Sequence, residues 1–84
     1  MAWYVYMLRC GDGSLYTGST TDVERRLREH QEGTGARYTR SRPPVTLAYA
    51  EEAPDRSAAQ RREAAIKKLP RAQKLKLIGK GEGI

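Results

Sequence analysis

Eighty-four residues suffice for one domain with a small core, since a chain this short buries only about 60 to 65% of its unfolded surface. Sixteen Lys and Arg against ten acidic residues leave a net charge of +6, and eleven of the sixteen are Arg, whose planar fork suits phosphate. Nucleic acid is the leading partner; the plain alternative is a merely soluble basic surface.

The single cysteine, Cys10, excludes an internal disulfide, and one histidine leaves too few ligands for a zinc site. Cys10 closes a strand pattern and reads as an inert small hydrophobe in a reducing compartment. No apolar run approaches the ~20 residues of a membrane span, and no basic region followed by a long apolar run opens the chain. The expectation is a cytoplasmic protein without a membrane partner, monomeric by default.

Ala2 to Arg9 is aromatic and β-branched, Gly11-Asp12-Gly13-Ser14 supplies turn chemistry, and Leu15 to Gly18 resumes a strand, which together predict a β-hairpin. Gly11 and Gly13 lack the third glycine, the Gly-Lys-Ser/Thr run and the following helix that a phosphate-cradling loop requires. Tyr6 and Tyr16 lie at nearly equal distance from the turn, so the hairpin brings them close on one face.

Thr21-Asp22-Val23-Glu24 has the form of a capping box and predicts a helix that ends near Glu32 and Gly33. Val23 and Leu27 make its apolar stripe, His30 borders that stripe, and Arg26 and His30, four apart, share a face. Residues 33–44 read as a loop carrying the basic-aromatic run Arg37-Tyr38-Thr39-Arg40-Ser41-Arg42. Val45, Leu47 and Tyr49 alternate with small residues and predict a third strand with one buried face. A second capping box, Ser57-Ala58-Ala59-Gln60, opens a helix to about Leu69 with Ala59, Ala65, Ile66 and Leu69 inward. Pro70 interrupts it, and a last helix to Ile78 carries Ala72, Leu75 and Ile78 on one side. The domain is expected over residues 1–79, with a flexible tail over 80–84. The order β-β-α-β-α-α predicts an α+β fold, a small three-stranded antiparallel sheet flanked by helices.

Tyr4-Val5-Tyr6, Tyr16-Thr17-Gly18-Ser19, then Arg26 and His30 on a helix and a late Glu63 form a spaced set that resembles the GIY-YIG nuclease superfamily, and the small stand-alone bacterial proteins within it. The likeness runs from about Trp3 to about Ile78; Tyr4 stands where the signature has its first glycine. The resemblance implies a metal-dependent endonuclease that hydrolyses DNA phosphodiester bonds in one step, in DNA repair or processing, with RNA left open as a second partner. It assigns Tyr6 and Tyr16 as the paired tyrosines, one of them the general base, Arg26 to the scissile phosphate, His30 as a contributor, and Glu63 as ligand of one Mg²⁺ or Mn²⁺. Such chemistry needs a water relieved of its proton, positive charge for the phosphate oxyanion, and stabilisation of the leaving oxygen.

Each assignment has a plainer counterpart. Arg26 could be a surface arginine like Arg25 and Arg28, His30 a packed histidine with one satisfied nitrogen, and Glu63 a salt-bridge partner of Lys67 at i+4. Arg37, Arg40 and Arg42 are expected on phosphates, with Lys67 extending the track, while Tyr38 either stacks on an unpaired base or anchors its loop. The alternative function is a nucleic-acid-binding module that cleaves little; a third is an interaction subunit. The presence of all five catalytic candidates favours the enzyme.

Overall fold

Val5 to Leu8 is apolar without interruption, the pattern of a strand covered on both faces, and all four side chains are buried. In a computed structural model that describes residues 2–82, with side chains through residue 79, this segment is the central strand β1 (Trp3–Arg9). It pairs antiparallel with β2 (Leu15–Thr20) on one side and β3 (Thr46–Ala53) on the other, giving the order β2-β1-β3. The helices are α1 (Val23–Gln31), the one-turn α2 (Arg37–Arg40), α3 (Arg56–Lys67) and α4 (Arg71–Glu82). The three-stranded antiparallel sheet with flanking helices is the architecture expected from periodicity; α2 is an addition inside the expected loop.

Alternation along β1 sends successive side chains to opposite faces and so builds two cores. Val5 and Met7 pack with Ala53, Ala59, Ile66 and Ile78 on the α3–α4 side. Tyr6 and Leu8 pack with Val45, Tyr16 and Leu27 on the α1 side. Full burial of a side chain such as Ile66 or Leu8 stabilises by about 1.5–3 kcal/mol. Arg62 on α3 reaches Glu51 at 3.0 Å, and Glu51 also accepts from the Tyr49 hydroxyl at 2.9 Å, tying α3 to β3.

Several details differ from expectation. The helices are capped by Asp22, which accepts from Arg25 N–H, and by Asp55, which accepts from Ala58 N–H, in place of Thr21 and Ser57. Both aspartates hold extended backbone, the geometry that aims a cap oxygen at the first free N–H groups. At the other end of α1, Glu32 is the C-cap and Gly33 follows with φ +81°.

A register shift between Met7 and Leu8, which pair with Tyr49 and Leu47, breaks the alternation of β3. Val45 stays buried and Leu47 becomes exposed, while Tyr49 joins the α3–α4 side. Ala65, Ala72 and Leu75 are exposed; on α4 Ile78 enters the core as expected, joined by Leu77. α4 continues to Glu82 through residues expected in the tail; residues 83 and 84 lie outside the described residues.

Candidate nuclease site

The site lies on the α1 side of the hairpin. Cross-strand register pairs Tyr6 with Gly18 and Leu8 with Tyr16, so the two tyrosines are diagonal neighbours and not directly opposite, with ring centroids 6.5 Å apart. The reason is the turn, closed by Cys10 N–H to Ser14 O and Gly13 N–H to Cys10 O, which sets Arg9 against Leu15. This register also explains the glycine of Tyr16-Thr17-Gly18. A Cβ on Gly18 would stand 2.5 Å from the Tyr6 hydroxyl, so the bare backbone is what lets the Tyr6 ring lie across β2.

α1 brings Arg26 and His30 over this face. His30, 1% exposed, places Nε2 3.0 Å from the Tyr6 hydroxyl, and its ring centroid is 5.1 Å from that of Tyr16. On its other side Nδ1 lies 2.7 Å from Thr39 Oγ1, a contact delivered by the unforeseen α2. Arg26 is anchored by Glu29 at 3.0 Å, a partner one helical turn on. Glu63 arrives from α3 at the β2 edge, where its Oε1 accepts from the Ser19 hydroxyl at 2.7 Å and its Oε2 pairs with Lys67 Nζ at 2.7 Å.

These neighbours set the protonation states. Burial pushes the Tyr6 phenol up to about 12, although the Arg26 guanidinium draws it back; Tyr16 and Glu63 add smaller upward pulls. His30 is held below its ordinary value, first by burial and then by Arg26, against the opposing pull of Glu29, so its imidazole is neutral at pH 7. Arg26 is held charged by Glu29 and, to a smaller degree, by the Tyr6 hydroxyl.

Four of the five catalytic candidates, Tyr6, Tyr16, Arg26 and His30, therefore gather on one face, and Glu63 comes in from α3 at the β2 edge through Ser19. The expected phosphate-binding set divides. Arg37 and Arg40 are exposed on α2 and enter no ion pair among the described residues. Arg42 is instead a strap: its Nε bonds Asp12 at 3.0 Å, one terminal nitrogen bonds Tyr38 O at 2.7 Å, and its guanidinium lies 4.0 Å from the Tyr38 ring centroid. Tyr38 has Arg42 over its ring and Tyr16 at 5.8 Å, contacts that anchor the loop, and it stays 38% exposed. Lys67 is on Glu63, the plainer of its two expected roles. Sequence reasoning missed Glu29 and Thr39; an acid three residues after Arg26 was visible, whereas Thr39 lay in a segment without period.

For a metal, Glu63 is the available hard donor, its side chain 21% exposed. Among the described residues no group of three or more His, Cys, Asp or Glu gathers into a cage. A single part-buried carboxylate, once Lys67 yields its place, fits a cation that keeps most of its waters and meets substrate phosphate, as Mg²⁺ does.

A small α+β sheet carrying paired tyrosines, a helix-borne Arg and His and a lone carboxylate is a nuclease-type domain. The family model described as the GIY-YIG catalytic domain matches residues 2–76, and the chain belongs to that family of nucleases. It is 60% identical to a UPF0213 protein of Streptococcus sanguinis over 75 residues, 89% of this chain and 86% of that one. A UPF0213 protein of the archaeon Halobacterium salinarum is 56% identical over 84% of this chain and 92% of its own length. The solution structure of a UPF0213 protein from Bacillus halodurans superposes with a TM-score of 0.62 at 48% identity, covering 96% of this chain and 87% of that one. No helix among the described residues is long and apolar enough to cross a membrane.

Proposed function

We propose that this protein is a metal-dependent endonuclease that hydrolyses DNA phosphodiester bonds, in DNA repair or processing, through Tyr6, Tyr16, Arg26, His30 and Glu63. The observation that carries this reading is the buried hydrogen-bond contact between the Tyr6 hydroxyl and His30 Nε2 at 3.0 Å, with a charged Arg26 beside it. A phenol pushed up to about 12 is not ionised at neutral pH, so Tyr6 cannot wait as a phenolate. It acts as a relay: the attacking water gives its proton to the Tyr6 oxygen as Tyr6 gives its own to the neutral Nε2 of His30. Arg26 neutralises charge growing on the phosphate oxygens. Glu63 would hold Mg²⁺ or Mn²⁺, which supplies Lewis-acid stabilisation of the phosphate and the leaving oxygen.

The test is nicking of plasmid DNA with Mg²⁺ or Mn²⁺, read beside DNA affinity. Arg26→Ala should lower cleavage ~100-fold or more while affinity falls no further than in Arg25→Ala or Arg28→Ala. An Arg26 variant indistinguishable from those two in both measurements would sink the catalytic assignment. The Lys67–Glu63 pair favours a second reading, a nucleic-acid-binding module with little cleavage, because an ammonium already occupies the carboxylate. Binding without metal-dependent nicking on plasmid, single-stranded and branched DNA would select it.

A further inference from the structure

The segment after α1 is folded onto the far side of the His30 ring. Thr34 and Gly35 both donate to Glu29 O, at 2.9 and 3.0 Å, and a Cβ on Gly35 would stand 2.6 Å from His30 Nδ1, so only glycine admits this approach. Four residues later Thr39, 1% exposed, presents its hydroxyl to Nδ1 at 2.7 Å. That hydroxyl carries one proton. Ala36 O, 3.0 Å away, can only accept, so the proton is directed there and Thr39 Oγ1 is left to accept from His30. The backbone N–H of Ala36 approaches Nδ1 at 3.4 Å and would favour the opposite tautomer, but through the longer contact.

We infer that Thr39 is a positioning residue for His30: its hydroxyl holds the proton on Nδ1 and keeps Nε2 bare toward the Tyr6 hydroxyl. The polarity then runs one way, from Tyr6 O–H to Nε2, from Nδ1–H to Thr39 Oγ1, and from Thr39 O–H to the Ala36 carbonyl. A bare Nε2 is what the relay requires, and the value of the clamp to catalysis rests on the proposed nuclease reading; the tautomer itself does not. With the proton on Nε2 instead, Tyr6 would have no acceptor for its own proton, and the same atoms at the same distances would be idle. Thr39 touches no reacting atom, so its effect is wholly through His30.

The experiment is ¹⁵N NMR of the His30 ring at neutral pH in the intact protein, with metal-dependent nicking measured in parallel. The wild type should show Nδ1 protonated and Nε2 bare. Thr39→Val, nearly isosteric but unable to accept, should move the population toward Nε2–H and lower the cleavage rate ~10–100-fold with DNA affinity unchanged. Thr39→Ser should restore both. A wild type with the proton on Nε2 overturns the inference whether or not the valine variant folds, as does a folded Thr39→Val that keeps the wild-type tautomer. Absence of nicking in a wild type with the expected tautomer would count against the nuclease reading and leave the clamp standing.

Discussion

At the scale of single residues, the carboxylate of Glu63 meets the sharpest competition. Its Oε1 is taken by Ser19 and its Oε2 by Lys67, so a divalent cation must displace an ammonium to reach the second oxygen. Lys67 is half exposed, and an i,i+4 pair of this kind contributes under about 0.5 kcal/mol, so displacement is an easy exchange. Calorimetric Mn²⁺ titration of the protein alone should therefore show binding that Glu63→Gln abolishes, since an amide is a near-isostere but a poor ligand for a hard cation. Lys67→Met should tighten Mn²⁺ binding by about 2-fold, the equivalent of the pair it removes. Equal affinity in wild type and Glu63→Gln would return Glu63 to a helix ion pair. Glu63 itself was visible in the sequence because it ends a spaced set, whereas the Ser19 contact joins residues 44 apart and no local pattern announces it. The same holds for Thr39, which acts on a ring nine residues back through a fold of the chain.

At the scale of elements, strands and helices were legible wherever a period had room to repeat: β1 and β2 around their turn, and α1 and α3 behind their capping residues. α2 was not, because four residues make a single turn and cannot show a 3.6-residue period. The third strand was legible in kind but not in facing, since one bulge reverses the sense of alternation for every residue beyond it. Cap identity failed for a related reason. In 54–58 and 20–24 more than one competent side chain stands within two residues, and the choice depends on which one keeps extended backbone. Asp55 does so with φ −157° and ψ 177°, and its carboxylate also faces the positive end of α3. Asp55→Ala should therefore cost about 0.5–2 kcal/mol in urea denaturation, with the slope unchanged. Ser57→Ala, inside the helix on an exposed position, should stay within ~0.5 kcal/mol of wild type. The opposite ranking would restore Ser57 as the cap and α3 would begin two residues later.

At the scale of the molecule, the charge of +6 is spread over both faces of the sheet, and only part of it can follow a strand of DNA laid on the site. α1 and α2 touch each other, and they carry the exposed Arg25, Arg28, Arg37 and Arg40. α4 packs near β3, at the edge of the sheet away from β2, with Arg71 and Lys76 exposed. Arg42 is held by Asp12 and Tyr38. If the four exposed arginines of α1 and α2, which enter no ion pair among the described residues, each neutralise one phosphate, counterion release sets the log–log salt slope on duplex DNA near about −3.6. Removing Arg37 and Arg40 together should flatten it by about 1.8, because two phosphate contacts vanish. Removing Arg71 and Lys76 takes away the same two charges from the far edge and should leave the slope where it was. Binding isotherms of the two double variants between about 50 and 200 mM salt separate the possibilities. Equal flattening in both would mean that DNA senses a diffuse positive field and has no preferred side, and the α1–α2 face would lose its claim to be the track that leads DNA to Tyr6 and His30.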